Sequence, residues 1–176
     1  GEGKLAGKPF ILELWQKALL SALFGFVDKK TGYRQFRELI LIVARKNGKS
    51  VFASAIALYL LYVDKEAGAQ LYSAATKKDQ AKIIWESAKK MINKSPELKR
   101  HAKIYISEIK CDIGDGIFKP LSSESNTLDG LNVHASFIDE LHAIKDKNLY
   151  DVLVDGMSAR TQPLSVITST SGMIRD

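Results

Sequence analysis

Apolar and polar positions along the chain fall into blocks with two different periods, and the alternation of those blocks outlines a fold. From Phe10 to Gly25, Leu14, Trp15, Ala18, Leu19, Ala22 and Leu23 recur at helical spacing, and Gly25 is a fitting stop. The spacing predicts an amphipathic helix, followed by a turn over Asp28–Gly32. Glu38–Ala44 (ELILIVA) is a continuous apolar run rich in β-branched residues, which suits a strand buried on both faces. Val51–Val63 is apolar apart from Ser54. A membrane span needs about 20 such residues, so this shorter run reads as a core helix. Ala69–Ala75 predicts a second strand. Thr76 and Asp79 have capping-box spacing ahead of a helix with Ala81, Ile84, Trp85, Ala88, Met91 and Ile92 on one face. Lys78, Lys82 and Lys89 lie off that face.

Ser95-Pro96 opens a short turn or helix, because proline is tolerated at the first helical position. Ile104, Ile106, Ile113 and Ile117 surround Asp112, Gly114, Asp115 and Gly116, which predicts a β-hairpin over Lys103–Lys119. Leu121–Gly130 reads as a polar loop and Val133–Ile138 as a third buried strand. Asp146 is placed to cap a helix over Lys147–Asp155 that Gly156 ends, and Pro163–Thr170 reads as a fourth strand. Strands alternating with helices predict a three-layer α/β sheet. The sequence stops six residues after that last strand, as expected of a piece of a longer protein.

Composition narrows the classes. One cysteine excludes a disulfide-stapled module, and 45% hydrophobic residues exclude a disordered chain. Lys plus Arg number 26 against 20 Asp plus Glu, a formal charge of +6 that permits a polyanionic partner without requiring one. Residues 1–9 lack the apolar core of a signal peptide.

Candidate chemistry begins at Gly48-Lys49-Ser50, between a predicted strand and a predicted helix. That context is what a phosphate-binding loop requires. Backbone N–H groups at a helix start point at an anion, and the helix dipole favours negative charge there. Lys49 would reach the β- and γ-phosphates and the Ser50 hydroxyl would ligate Mg2+. The full pattern places a glycine five residues before Gly48, where this chain has Val43. Asp139 ends an apolar strand, where ligands bind in open α/β sheets, and its carboxylate would hold Mg2+. Glu140, the next residue, would orient and deprotonate an attacking water. Asp112 and Asp115 flank glycine, so turn chemistry accounts for them. His101, His134 and His142 lack companion cysteines at metal spacing and read as local structure, not a zinc site.

Taken together, these blocks resemble the ATPase domain of the large terminase subunit, the DNA-packaging motor of tailed bacteriophages. Ala44-Arg-Lys-Asn-Gly-Lys-Ser50 is similar to that family's deviant Walker A, in which an arginine follows the strand and the early glycine can be missing. Phe137-Ile-Asp-Glu-Leu-His142 resembles its Walker B, and Arg160 to Gly172 resembles the strand and coupling motif that come after it. The Phe10–Gln16 start resembles its adenine-binding segment.

The resemblance implies a P-loop NTPase of the additional-strand, catalytic-glutamate type, as one ATPase domain over residues 1–176, with ATP and Mg2+ as cofactors. It implies that Arg45, Lys46, Asn47, Gly48, Lys49 and Ser50 cradle the nucleotide, with Arg45 stabilising or sensing phosphate charge. Thr168-Ser169-Thr170 would couple nucleotide state to DNA gripping, and a hydroxyl there would bond the γ-phosphate or the water. Gln16 would read the adenine edge, with Trp15 or Phe10 packed nearby.

The implied partners are double-stranded DNA, a homo-oligomeric ring on the capsid portal and the small terminase subunit, with no membrane. The implied place is the host cytoplasm, transiently at the procapsid portal vertex, and a nuclease domain would come after this one. Arg100 and Arg160 are the candidates for an arginine finger reaching a neighbouring subunit. Lysines 77, 78, 82, 89 and 90 form a possible DNA patch, although a solvated helix face accounts for most of them. Two other readings stay open here: a helicase-like translocase, and a nucleotide-dependent binding module with little hydrolysis, against which Glu140 argues.

Overall fold

Strand-forming and helix-forming blocks do alternate, and the parallel pairing they produce decides which strand ends meet. The computed structural model describes residues 11–64, 66–123, 130–140 and 147–170. The chain divides into two compact units, Gly1–Arg37 and Glu38–Asp176.

The first unit carries helix α1 (Leu14–Gly25). Residues 11–13 are not helical, and Phe10 lies outside the described residues. Gln16 Oε1 accepts the Glu13 backbone N–H at 2.9 Å, which satisfies one donor at the helix start. The apolar face expected from spacing is only partly realised. Leu23 and Gln16 are buried, whereas Leu14 and Trp15 are exposed. Asp28 Oδ1 accepts from the Lys30 and Thr31 backbone N–H groups at 2.9 and 2.8 Å, which builds the expected turn.

The second unit runs β1 (Glu38–Val43), α2 (Lys49–Tyr62), β2 (Gln70–Ala75), α3 (Lys78–Lys94), α4 (Pro96–Arg100), β3 (Ala102–Ile104), β4 (Ile109–Cys111), β5 (Gly116–Ser122), β6 (Val133–Asp139), α5 (Lys147–Met157) and β7 (Leu164–Thr170). Its seven strands form one sheet in the order β1-β7-β6-β2-β5-β4-β3. The five strands from β1 to β5 in that order pair in parallel, and β4 and β3 extend the sheet antiparallel. This is the three-layer α/β sheet expected from the alternation of strands and helices.

Parallel strands are buried by crossover helices on both faces. On one face α2 and α3 pack together, with Phe52, Ile56 and Leu60 of α2 and Ile84 and Trp85 of α3 buried. The Trp85 indole N–H donates to the Phe118 carbonyl of β5 at 3.0 Å. On the other face Leu149 and Leu153 of α5 pack on Tyr72, Ala74, Ile138 and Ile167. Every residue of β6 is buried, as its apolar run predicts.

Further details of the second unit depart from the sequence reading. β1 is not buried on both faces: Leu39 and Leu41 are covered, but Ile40 and Ile42 are 57% and 63% exposed. β1 is the outermost strand of the described sheet, and the face that carries Ile40 and Ile42 is left open. Helix α3 starts at Lys78 with Lys77 at its cap position, not with a Thr76 box. The predicted hairpin is two hairpins, because β4 pairs with both β3 and β5. Ser95 does cap α4, its Oγ accepting from Leu98 N–H. Asp146, His142 and most of the predicted polar loop lie outside the described residues.

Gly156 sits inside α5 and does not terminate it. A Cβ there would approach Val133 Cγ2 to 2.7 Å and the Leu131 carbonyl oxygen to 2.9 Å. Alanine would improve helix propensity by about 1 kcal/mol. The clash falls partly on backbone, which cannot rotate away, and overpacking costs about 1–3 kcal/mol. Gly156→Ala is therefore expected to lower the urea midpoint; a raised midpoint would show that the clash relaxes.

Candidate nucleotide site

The site forms where β1, β6 and β7 end side by side. Parallel register places Val43 opposite Thr170 and Asp139 opposite Thr168, so the three carboxyl ends converge. The loop leaving β1 makes a tight turn at Arg45-Lys46 and enters α2 at Gly48. Both Lys46 (φ 66°) and Gly48 (φ 71°) are left-handed. Glycine adopts that conformation freely, whereas lysine does so at a cost of about 1–3 kcal/mol. The Asn47 side-chain amide donates to the Ala44 carbonyl at 3.1 Å and pins the turn. Val43, where the full pattern has glycine, is still in the strand and needs no special backbone. The loop is thus a short turn that dispenses with the first glycine.

Lys49 begins α2 and reaches across to β6. Its Nζ lies 2.9 Å from Asp139 Oδ1 and bonds Glu140 Oε1. Asp139 is buried and its Oδ1 also accepts the Thr168 hydroxyl at 2.8 Å. Both contacts fall on that one oxygen, so the second carboxylate oxygen carries neither. Glu140 is left-handed, with φ 59°. Its backbone N–H donates to the Thr168 carbonyl at 2.7 Å. Its carboxylate accepts from the Thr170 hydroxyl at 2.8 Å, the Thr170 N–H at 3.2 Å and the Ser169 hydroxyl at 3.2 Å.

These contacts move the titrations. Burial pushes the Glu140 carboxyl up, but hydrogen bonds from Lys49 and Thr170 and the Lys49 charge outweigh it and hold it at about 2. Burial pulls the Lys49 ammonium down, and the bonds and charges of Asp139 and Glu140 more than reverse that, leaving it above the ordinary lysine value.

The structure therefore brings together Lys49, Asp139, Glu140, Thr168, Ser169 and Thr170. Ser50 is half-buried at the second position of α2. Arg45 and Lys46 are exposed in the turn and make no ion pair with these carboxylates. Gln16 belongs to the other unit.

The hydroxyls of Thr168, Ser169 and Thr170 bond the two carboxylates themselves, a use that the sequence did not foretell. The alternation of a β-strand on β7 was the available signal, because it sets Thr168 toward Asp139. Among the finger candidates, Arg160 is engaged within its own unit. It bonds Glu66 at 3.3 Å and the carbonyls of Ala67, Gly68 and Asn132 at 3.1, 2.6 and 3.4 Å. His134 is buried with Nε2 2.9 Å from Asp64 Oδ2, which ties the end of α2 to the start of β6. His101 lies 2.9 Å from Asp112.

Oxygen donors at Asp139 and Ser50 suit a hard divalent cation. Among the described residues no group of three or more His, Cys, Asp or Glu could hold a metal by itself. Mg2+ at a phosphate needs only one or two protein oxygens, the rest coming from phosphate and water. The donor set fits that mode.

A glycine-lysine loop at a helix start, closed against a strand-end acid pair in a mainly parallel sheet, defines the P-loop NTPase class. Within that class the chain belongs to the family of terminase large subunit ATPase domains, whose model matches residues 14–176. It is 30% identical to the large terminase subunit of Enterobacteria phage HK97 over 96% of this chain, and spans 33% of that protein's length. The HK97 large terminase crystal structure superposes with a TM-score of 0.80 at 27% identity, covering 94% of this chain and 34% of that one. The ATPase domain of the Thermus phage P74-26 large terminase shares the fold at a TM-score of 0.63 and 18% identity, covering 88% of this chain and 70% of that one. So does the large terminase of a thermophilic bacteriophage in complex with ADP, at 0.62 and 12%, covering 87% and 38%. No helix among the described residues is long and apolar enough to cross a membrane.

The depressed Glu140 carboxyl makes stability depend on acid. A group whose folded value lies below its ordinary 4.5 contributes stability fully present above 4.5 and lost as pH falls toward 2. The interval corresponds to stability on the order of 3 kcal/mol. Glu140→Gln is expected to flatten unfolding free energy against pH between 4.5 and 2, measured by urea unfolding at each pH. An unchanged slope would mean that other carboxylates carry the acid sensitivity.

Proposed function

We propose that this chain is the motor domain of a packaging terminase: it hydrolyses Mg-ATP and uses the energy to drive double-stranded viral DNA into a procapsid. The observation that carries the reading is the convergence of Lys49 with Asp139 and Glu140 at the ends of β1, β6 and β7. The thermophilic-phage large terminase crystallised with ADP and with ATP-γ-S supports nucleotide as the ligand.

In this reading the amides of residues 46–50 and the α2 dipole bind phosphate, and Lys49 leaves the acid pair for the β- and γ-oxygens. Arg45 adds charge as it spreads over the equatorial oxygens. Asp139 and Ser50 hold Mg2+, which neutralises phosphate charge when bound. Removing Lys49 from Glu140 takes away two of the influences that lower its pKa, so the carboxylate becomes a better base for water. Thr170 and Ser169 keep it aimed, and Thr168 orients Asp139. Residues 1–176 act as one ATPase domain.

The whole protein would work as a homo-oligomeric ring on the capsid portal, with the small terminase subunit delivering DNA and a nuclease domain supplied by the rest of the large subunit. Its place would be the host cytoplasm, transiently at the portal vertex. Arg160 is occupied within its own unit, which counts against it as the finger.

The test is steady-state ATP hydrolysis by the full-length protein with portal-bearing procapsids and DNA. Glu140→Gln is expected to lower turnover by about 10²–10⁴-fold with nucleotide affinity retained, because a general base contributes on that scale. Lys49→Ala is expected to lose both turnover and binding. Turnover near the unsubstituted level in either variant would overturn the assignment.

A further inference from the structure

The positive charge of this chain is local. Residues 77–119 hold eleven Lys or Arg against six Asp or Glu, so five of the six net charges sit in 43 of 176 residues. Within that segment the antiparallel extension of the sheet has two unlike faces. Ile109, Cys111 and Phe118 are buried, on the side where Trp85 of α3 reaches the Phe118 carbonyl. Register puts Lys103 opposite Lys110, and Lys110 opposite Ile117, so all three share the other face. Lys119, two residues along β5, stands on that face too. The two facing lysines are exposed.

Like charges directly opposite on adjacent strands destabilise a sheet. Fold stability accounts for the Lys103–Lys110 pair only in part, through the Lys110 ammonium 5.7 Å from the Tyr105 ring centroid. Glu108 offsets it only in part: it lies 3.3 Å from Lys119 and 4.0 Å from Lys110. Lys103 and Arg100 have no ion pair among the described residues. Arg100, at the end of α4, joins both lysines in lining an open groove of about 340 Å3. Asp112 and Asp115 also line it, and Asp112 is 2.9 Å from His101.

We infer that this face, with Lys103, Lys110 and Arg100 at its centre, is where the domain contacts the phosphate backbone of duplex DNA. An extended polyanion relieves the like-charge repulsion and gives both lysines a counter-charge. The binding is sequence-independent, because ammonium and guanidinium groups on a flat sheet reach phosphates and not base edges. The choice of duplex DNA as the polyanion rests on the packaging reading above. The surface itself does not depend on the nucleotide site.

The experiment is fluorescence anisotropy of a 30-bp duplex with the full chain across a salt series. Lys103→Gln with Lys110→Gln is expected to weaken binding several-fold and to make the salt slope shallower by about one per lysine. Basal ATP hydrolysis is expected to stay unchanged. Removing a facing like-charge pair leaves the fold at least as stable, and Lys103→Gln alone provides a milder variant with half the slope change. Unaltered affinity and slope would overturn the inference, as would an equal loss from Lys77→Gln with Lys78→Gln on α3. Displacement of the duplex by polyglutamate at equal charge concentration would also overturn it, in favour of an acidic protein partner. Lys49→Ala separates the two readings: if it leaves turnover intact while the lysine pair still governs duplex binding, the packaging reading fails and the DNA surface stands.

Discussion

Two carboxylates on consecutive residues must meet one ammonium, and a β-strand forbids it. Successive strand side chains point to opposite faces. If β6 simply continued, Asp139 would face α2 and Glu140 would face away. The left-handed turn at Glu140 breaks the alternation and brings both acids to Lys49. That conformation costs about 1–3 kcal/mol for a side chain with a Cβ. The surrounding bonds over-determine it: the backbone N–H is fixed to Thr168, and the carboxylate takes Thr170, Ser169 and Lys49. β7 supplies most of those donors, which makes the β6–β7 register the element on which the site geometry depends.

The loop after β1 solves a related problem on the other side. A phosphate cradle needs amides that point inward, hence at least one left-handed residue. Here the two such positions are Lys46 and Gly48. Strain on Lys46 is tolerated because Asn47 closes the turn onto Ala44 and because α2, buried along most of its length, anchors the far end of the loop. Two of the three left-handed non-glycine residues among those described, Lys46 and Glu140, lie on the segments whose side chains would move when phosphate arrives; the third, Asp115, sits in the β4–β5 turn.

Much of this was legible in the sequence. Apolar runs located β2, β6 and β7 to within a residue, and periodicity gave the buried face of α3. The P-loop and the acid pair were legible because their spacing is tied to strand and helix ends. What was not legible depends on neighbours distant in the chain. Ile40 and Ile42 look like core residues in ELILIVA, and only the sheet order exposes them. Arg160 looked free for a neighbouring subunit until three carbonyls and Glu66 surrounded it. Trp15 fitted an apolar stripe, but the stripe on α1 is only partly covered. The Lys103–Lys110 apposition likewise needs the register of β3 on β4, which the connecting Tyr105-Ile-Ser-Glu108 segment, without glycine, asparagine or aspartate, does not specify.

Lys49 also sets the charge balance of the site. In this arrangement the ammonium and the two carboxylates largely satisfy one another, which makes a folded site of low local charge. In the proposed function phosphate binding would exchange those partners: Lys49 would turn to the new anion and leave two carboxylates side by side. Adjacent carboxylates repel and resist joint ionisation, so the exchange is favourable only if a second positive charge arrives with the phosphate. A divalent cation coming in with the nucleotide meets that need, since Asp139 keeps an oxygen outside the Lys49 and Thr168 contacts. On the same electrostatics free phosphate alone would be a poor ligand. Under the proposed function, selectivity for a metal-bound nucleotide would arise from the charge balance of three side chains, before any contact with the base is considered.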